Sequence, residues 1–206
     1  MNLIAKYFSS LNISQLQKLE SLYSVYADWN SKINLISRKD MNYFYLHHVL
    51  HSLSIAKFYQ FKSGSRVMDV GTGGGFPGIP LSIFFPDVNF HLVDSIGKKI
   101  NVIKVIREEL NLKNVNTHNV RMEKIDLTVD FVVSRAVAPM ETLVNWVGDN
   151  VSKKHRQVRK NGFICLKGGD LSEELKKFKS KQIIGLSTYF QEKFFETKSL
   201  VYIPLN

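Results

Sequence analysis

The chain contains a single cysteine, Cys165, among its 206 residues. One thiol excludes an internal disulfide and any metal site built from several thiolates. Its neighbours are apolar, in the run Phe163-Ile164-Cys165-Leu166. We therefore expect Cys165 to be a small side chain in a buried strand.

Long apolar runs are also missing from the sequence. No stretch reaches the roughly 18 apolar residues that a membrane-spanning helix needs, and the first residues lack the apolar segment of a secretory signal. We therefore expect a cytoplasmic location and no membrane partner. Hydrophobic residues make up 44% and charged residues 22% of the chain, which favours a folded domain over a disordered one.

Acidic residues are scarce relative to basic ones. The chain has 28 Lys and Arg against 18 Asp and Glu, for a formal net charge of +10. Such an excess predicts a polyanionic partner. Charge alone leaves RNA, DNA and an acidic membrane surface open.

Glycine, in contrast, is concentrated in the stretch 66–80, RVMDVGTGGGFPGIP. An apolar strand containing Asp69 runs into a turn with glycines at 71, 73 and 75, and a helix is predicted to follow. Glycines allow the sharp turn and leave bare main chain against which a ligand can lie. The stretch therefore predicts a ligand-binding loop.

Two ligand classes compete for this loop. Gly73, Gly75 and Gly78 match the dinucleotide pattern G-x-G-x-x-G, but Pro77 removes an N–H donor and the match begins two residues late. The register that starts at Asp69, acidic-x-G-x-G-x-G, fits better and favours S-adenosyl-L-methionine. A nicotinamide-dependent dehydrogenase and a glycine loop without a ligand remain the alternatives.

Strands and helices alternate from residue 66 onward, which indicates a mostly parallel sheet with right-handed crossovers. We predict an α/β fold of the class I, Rossmann-like methyltransferase type, with seven strands and an antiparallel C-terminal hairpin. A helical N-terminal segment, residues 1–62, should precede an S-adenosylmethionine-binding domain, residues 63–206. Predicted helix signals include a capping box of Ser14 and Gln17, a cap at Asp40 and a helix over 171–178.

Histidines cluster on the second predicted N-terminal helix, at positions 47, 48 and 51. His47 and His51 have the i, i+4 spacing of a metal-binding pair, but no third ligand or H-E-x-x-H glutamate accompanies them. We therefore expect no metal.

Ligands of parallel sheets bind beyond the carboxyl ends of the strands, so residues at those ends are the candidates for binding. Asp94 ends the second predicted strand, where its carboxylate can accept hydrogen bonds from ribose hydroxyls. Met122 can flank an adenine, and Glu123 can serve as an acceptor. All three are predicted to bind the cofactor.

Basic residues are predicted at the same edge of the sheet. Arg121, Arg135 and Lys167 follow strands, and Lys98 and Lys99 follow Asp94. A basic rim around a cofactor cleft suits a phosphate chain as substrate, and we predict that the first three contact RNA. The denser basic run at 153–160 should lie at the opposite end of the strands, away from the cofactor.

Four motifs together resemble the RsmG, or GidB, family: VMDVGTGGGFPGIPL at 67–81, LVDSIGKK at 92–99, SRA at 134–136 and LKG at 166–168. Members of that family methylate N7 of a guanine in bacterial small-subunit ribosomal RNA. Trp29-Asn30, Asn34-Leu35 and His48-Val49-Leu50 resemble the family's helical N-terminal part, so the resemblance covers roughly residues 29–168.

The resemblance implies S-adenosyl-L-methionine as cofactor and 16S rRNA or the small ribosomal subunit as partner. The family's cofactor contacts fall here on Gly71, Phe76, Met122, Glu123 and Arg135. Gly73, Gly75 and Asp94 complete the predicted cofactor set. No catalytic base is predicted, because guanine N7 carries a free lone pair at neutral pH.

The sequence also departs from the family's pattern. Gly74 stands where many members have proline and Phe76 where leucine is common, while His47 and His51 replace an arginine and an aspartate. Two alternatives stay open: a methyltransferase acting on another RNA or a small molecule, and a module that binds RNA or nucleotides without catalysis.

Overall fold

The fold is centred on one seven-stranded sheet in a computed structural model that describes residues 2–33 and 35–205. Its strands are β1 (Arg66–Val70), β2 (Asn89–Asp94), β3 (Val115–Asn119), β4 (Phe131–Arg135), β5 (Gly162–Gly168), β6 (Gln182–Gly185) and β7 (Lys198–Pro204). They lie side by side in the order β3-β2-β1-β4-β5-β7-β6. Strands β1 to β5 run parallel to one another, and β7 runs antiparallel to both β5 and β6.

This topology confirms the predicted fold class, including the antiparallel C-terminal strands. The strand order reverses between β1 and β4, and that reversal opens the crevice in which parallel sheets bind ligands. The glycine-rich turn follows β1 directly, so the fold places it at this crevice.

The helices are α1 (Asn2–Tyr7), α2 (Ile13–Lys32), α3 (Arg38–Met41), a π-helix (Phe44–Leu50), α4 (His51–Phe58), α5 (Gly78–Phe84), α6 (Gly97–Glu109) and α7 (Met140–Val147). Short 3-10 turns follow β3, α7 and β6, and another one directly precedes β7. None of the helices in the described ranges is long and apolar enough to cross a membrane.

Both faces of the sheet are buried, as a parallel sheet requires. On one face, apolar side chains of α1, α2, α4, α5 and α6 join the sheet in one core; on the other, α7 packs with Leu171 and Leu175. Cys165 is buried in β5, as expected, and burial raises the pKa of its thiol to about 12. The proposed division at residues 62 and 63 stays a prediction, and Asn34 of the N-terminal motif lies outside the described residues.

The N-cap of helix α2 lies two residues before the predicted one. The capping box consists of Asn12 and Gln15: the Asn12 side chain accepts from the N–H of Gln15, and the Gln15 side chain accepts from the N–H of Asn12. The prediction of Ser14 and Gln17 was therefore wrong. Gln15 also donates to the carbonyls of Ile83 and Phe84, which fastens the start of α2 to the end of α5 and explains why this register is selected.

Asp40 is not the N-cap of the second helix. Ser37 caps α3 by accepting from the N–H of Asp40, and Asp40 lies inside that short helix. The histidine helix then begins as a π-helix and becomes α-helical at His51.

The helix predicted over 171–178 is also absent. The N–H of Leu175 bonds the carbonyl of Leu171 in one α-type turn, after which the N–H groups of Lys176 and Phe178 bond carbonyls three residues back. The segment is therefore a series of turns, which still buries Leu171 and Leu175.

Candidate functional site

The glycine-rich turn has three positions in the left-handed region, with φ of 65° at Gly71, 59° at Gly73 and 94° at Gly75. A Cβ at Gly71 would lie 2.5 Å from Cγ2 of Val137, and one at Gly75 would lie 2.7 Å from Cγ1 of Ile79. At Gly73 the nearest atom would be the Gly71 carbonyl oxygen, 3.9 Å away. Only at Gly73 does the turn therefore present open space above bare main chain.

Asp69 holds this turn from below. Its Oδ2 accepts from the hydroxyl of Thr72 at 2.7 Å and from the N–H of Gly78 at 2.8 Å, which joins β1 to the start of α5. Among the described residues, its buried Oδ1 has no hydrogen-bond partner. Burial raises the pKa of Asp69 to about 7, with the two hydrogen bonds opposing the rise.

Tyr26 of α2 supports the same turn from the side. Its buried hydroxyl donates to the carbonyl of Gly74 at 2.5 Å, and its ring packs on Phe44 and Phe76 at centroid distances of 5.2 and 5.0 Å. Burial raises the pKa of Tyr26, so the hydroxyl remains a donor at neutral pH.

Asp94 lies directly beside Gly73. Its Oδ2 accepts from the N–H of Gly73 at 2.9 Å, and its Oδ1 accepts from the N–H of Ile96 at 2.8 Å. Each carboxylate oxygen has a second lone pair, so Asp94 can still accept from a ligand. Its predicted contact with ribose hydroxyls stays a prediction.

A cavity of about 440 Å³ opens between the glycine turn and the histidine helix. The predicted site residues Gly71, Gly73, Phe76 and Arg135 line it together. Side chains that were not predicted complete the wall, including those of Phe194 and Lys198.

Arg135 is fixed at the floor of this cavity. Its guanidinium donates to the carbonyl of His47 at 2.8 Å, bonds Nδ1 of His48 at 2.9 Å and lies 5.2 Å above the ring of Phe76. Burial lowers the pKa of Arg135 to about 10, so it stays charged at neutral pH. Burial and this charge lower the pKa of His48 to about 3, which leaves His48 neutral and able to accept.

His47 and His51 form another wall of the cavity. His47 stacks between Tyr43 and Phe194, at centroid distances of 4.8 and 4.1 Å, and its Nδ1 lies 3.0 Å from Oδ1 of Asp40. Burial lowers the pKa of His51 well below its usual value, so this ring is neutral. In the part of the chain that the structure describes, no group of three or more His, Cys, Asp or Glu side chains could hold a metal ion.

A second cavity of about 370 Å³ adjoins the first above the ends of β4 and β5. Lys167, predicted to contact RNA, lies in its wall, donates to the carbonyl of Ala138 at 2.6 Å and pairs with Glu174 at 2.8 Å.

Five predicted site residues lie outside the walls of both cavities: Gly75, Asp94, Arg121, Met122 and Glu123. Arg121 and Glu123 are exposed beside the 3-10 turn that follows β3, and Met122 packs partly buried against the core under α7. These three residues follow β3, which lies next to β2 in the sheet, so they occupy the same edge of the sheet as Asp94. Gly75 belongs to the turn itself, where an added Cβ would meet Ile79. The binding roles of all five stay predictions.

Sequence reasoning missed Tyr26, Glu174, Phe194 and Lys198. Tyr26 belongs to an apolar stripe that indicates only a core helix, and Glu174 lies in a segment predicted to be an ordinary helix. Phe194 reaches the cavity through the loop 186–197, whose path depends on the insertion of β7 between β5 and β6. No local pattern signals that path.

The basic run at 153–160 lies at the opposite end of the strands from the glycine turn. Lys153, Lys154 and Arg156 are exposed and line an open groove of about 860 Å³ together with Arg66 at the start of β1. This placement at the amino ends of the strands agrees with the prediction.

The chain is similar to a family described as rRNA small subunit methyltransferase G, GidB, whose model matches residues 15–200. A protein named ribosomal RNA small subunit methyltransferase G from Christiangramia forsetii is 53% identical over 205 residues, which cover 100% of this chain and 97% of the relative. A protein of the same name from Bacteroides fragilis is 52% identical over 206 residues, covering 100% of both.

Solved structures share the fold at low sequence identity. A SAM-dependent methyltransferase from Aquifex aeolicus matches with a TM-score of 0.57 at 17% identity, over 74% of this chain and 88% of that one. A SAM-dependent O-methyltransferase from Thermotoga maritima matches with a TM-score of 0.58 at 13% identity, over 75% of this chain and 64% of that one. At such identities the likeness concerns the fold alone.

Proposed function

The chain belongs to the family of rRNA small subunit methyltransferase G, GidB, and we propose that it transfers a methyl group to N7 of a guanine in 16S rRNA. The observation that carries the proposal is the open main chain at Gly73 beside a carboxylate, Asp94, inside a chain about half identical to its relatives throughout.

Family membership confirms three predictions: the chain is a methyltransferase, its cofactor is S-adenosyl-L-methionine, and its substrate is ribosomal RNA. It also confirms the resemblance on which these predictions were based. The finer assignments, which are the N7 atom, the small subunit as physical substrate and the cytoplasmic location, belong to the proposal.

The residues of the cleft fit this cofactor. The surface at Gly73 has room for a ligand that a Cβ would displace, and Asp94 retains acceptor capacity beside it. S-adenosylmethionine supplies, when bound, a methyl group on a positively charged sulfur. The turn held by Asp69 and Tyr26 would keep the binding surface rigid, because both side chains are buried and hydrogen-bonded to it.

Methylation at N7 requires no general base. The N7 lone pair forms the new bond to the methyl carbon, the carbon–sulfur bond breaks, and its electron pair remains on sulfur. No proton leaves N7, because none is there. Orientation of the reacting atoms then provides the main part of the catalysis. The neutral histidines His48 and His51 line the cleft without being needed as bases.

Two lysines of the cleft, Lys99 and Lys198, can bind phosphate groups of an approaching RNA chain. Phosphate contacts supply most of the sequence-independent affinity for nucleic acids, and the net charge of +10 supports a polyanionic substrate. Bacterial ribosomal RNA lies in the cytoplasm, and we place the protein there.

The test is methyl transfer from labelled cofactor to small ribosomal subunits taken from cells that lack this activity. We expect label in 7-methylguanosine after digestion of the RNA and mass spectrometry. Naked 16S rRNA, assayed in parallel, separates the two physical forms of the substrate.

Other outcomes point to the alternatives. Label on cytosine C5, on adenine N6 or on protein would contradict the N7 assignment while leaving the cofactor in place. Binding of RNA with no transfer to any acceptor would favour a module without catalysis.

A further inference from the structure

The second cavity adjoins the cleft in which the cofactor is placed. The two cavities share Arg135, Val137 and Lys198 in their walls, so groups in them lie next to each other. At about 370 Å³ the second cavity lies within the roughly 300–1,000 Å³ range of small-molecule sites. It also lies beyond the carboxyl ends of β4 and β5, where parallel sheets bind substrates.

An ion pair forms one wall of this cavity. Lys167 Nζ lies 2.8 Å from Oε1 of Glu174, and the same oxygen accepts from the N–H of Met140 at 2.8 Å. The side chains are only 10% and 24% exposed, so the pair is held in place.

Both partners keep hydrogen-bonding capacity. Glu174 Oε2 accepts no hydrogen bond from any residue that the structure describes, since both contacts of the carboxylate fall on Oε1. Lys167 spends two of its three N–H donors on Glu174 and on the carbonyl of Ala138, which leaves one. The cavity therefore presents a free anionic acceptor next to a free cationic donor.

We propose, on the basis of the proposed function, that this cavity holds the target guanine, with Oε2 of Glu174 accepting from its N1–H and 2-amino groups and Lys167 donating to O6. Around the purine, the 2-amino group, N1–H, O6 and N7 follow one another, so an acceptor next to a donor matches the first three and leaves N7 beyond them. Adenine carries an acceptor at N1 and a donor at C6, so the same pair rejects it.

The contact with Glu174 also strengthens during the reaction. As N7 gains the methyl group, positive charge spreads over the base and N1–H becomes more acidic. A hydrogen bond from N1–H to a carboxylate is then stronger in the transition state than in the ground state, which raises kcat. Glu174 is therefore a substrate-binding residue that sets specificity and contributes to rate.

The first experiment compares Glu174→Ala and Glu174→Gln with Glu141→Ala in methyl transfer to small subunits. Glu141 is a matched control, because it is an exposed carboxylate next to Met140 that pairs with Lys177 at 2.8 Å outside the cavity. Loss of hydrogen bonds to a charged group should lower kcat/KM by about tenfold or more in Glu174→Ala, with a lower kcat. Glu141→Ala should stay near the wild-type rate.

Calorimetric cofactor binding and thermal unfolding accompany these rates. Glu174→Gln keeps an oxygen that can accept from Met140, so it should fold as the wild type does and still lose rate. Unchanged cofactor affinity in both Glu174 variants is expected. Wild-type rates in a folded Glu174→Gln and in Glu174→Ala would overturn the guanine site in this cavity and leave the proposed function standing.

A second experiment removes the partner atom from the RNA. The guanosine that the wild type methylates is replaced by inosine, which lacks the 2-amino group, in subunits reassembled from ligated RNA. The wild type should slow by about tenfold, whereas Glu174→Ala should show no further loss. Equal sensitivity of both enzymes to inosine would overturn the guanine site. Absence of 7-methylguanosine with the wild type would instead overturn the proposed function, and the guanine site with it.

Discussion

Gly73 is the position of the turn at which an added side chain would meet open space rather than packed protein atoms. Its φ of 59° disfavours other residues. At Gly71, in contrast, a Cβ would collide with Val137, so a substitution there tests the packing and not the binding.

The substitution Gly73→Val should therefore abolish cofactor binding. Gly64→Val is the matched control, because Gly64 has a φ of 77°, no atom within 4 Å of an added Cβ, and a position in a turn far from the cleft. Each substitution should cost about 1–3 kcal/mol of unfolding free energy through backbone strain. Calorimetry with S-adenosylmethionine should show binding only in Gly64→Val. Binding of the cofactor by Gly73→Val would contradict the placement of the ligand.

At the scale of elements, helix α2 supports the glycine-rich turn although it precedes the sheet by more than thirty residues in sequence. Its Tyr26 donates to the Gly74 carbonyl, while Asp94 accepts from the N–H of the preceding residue, Gly73. We therefore expect α2 to control how rigid the turn is.

Removing the hydroxyl in Tyr26→Phe should weaken cofactor binding. Tyr202→Phe is the control, because the Tyr202 hydroxyl also donates to a main-chain carbonyl, that of Lys160, at the other end of the sheet. Each substitution should cost about 1 kcal/mol of unfolding free energy, and a loss of that size in binding is roughly fivefold in Kd. Equal Kd values for the two variants would show that α2 does not influence the turn.

Sequence reasoning succeeded for elements whose signal is local. The glycine turn, the strand ending at Asp94 and the alternation of strands and helices depend on neighbouring residues, and the structure has them at the predicted places. It failed where distant contacts decide. Gln15 selects the register of α2 through carbonyls of α5, and Glu174 reaches Met140 and Lys167 from a segment of turns.

At the scale of the whole molecule, two groups of basic residues line surfaces at opposite ends of the strands. One contains Lys99 and Lys198 at the cleft, and the other contains Lys153, Lys154 and Arg156 at the amino ends. Arg159 belongs to neither, because its guanidinium lies 4.7 Å above the ring of Phe58 and bonds Gln182. Arg135 and Lys167 are likewise engaged with protein partners, so neutralising them would disturb the structure as well as the charge.

Replacing the basic residues of each surface by alanine separates those that attract the RNA from those needed for methyl transfer. The triple variant at 153, 154 and 156 should keep its turnover on small subunits to within about twofold, while its log rate at low substrate should depend less steeply on log salt, by up to about 0.9 per lost phosphate contact. The double variant at 99 and 198 should lose turnover at every salt concentration, because both lysines line the cleft at which the RNA must dock for its guanine to meet the cofactor. Methyl transfer by both variants, measured across a salt series, shows which of the two surfaces binds the RNA for catalysis. If the triple variant loses turnover while the double variant retains it, the RNA surface lies at the amino ends of the strands and the substrate must reach the cleft from that side.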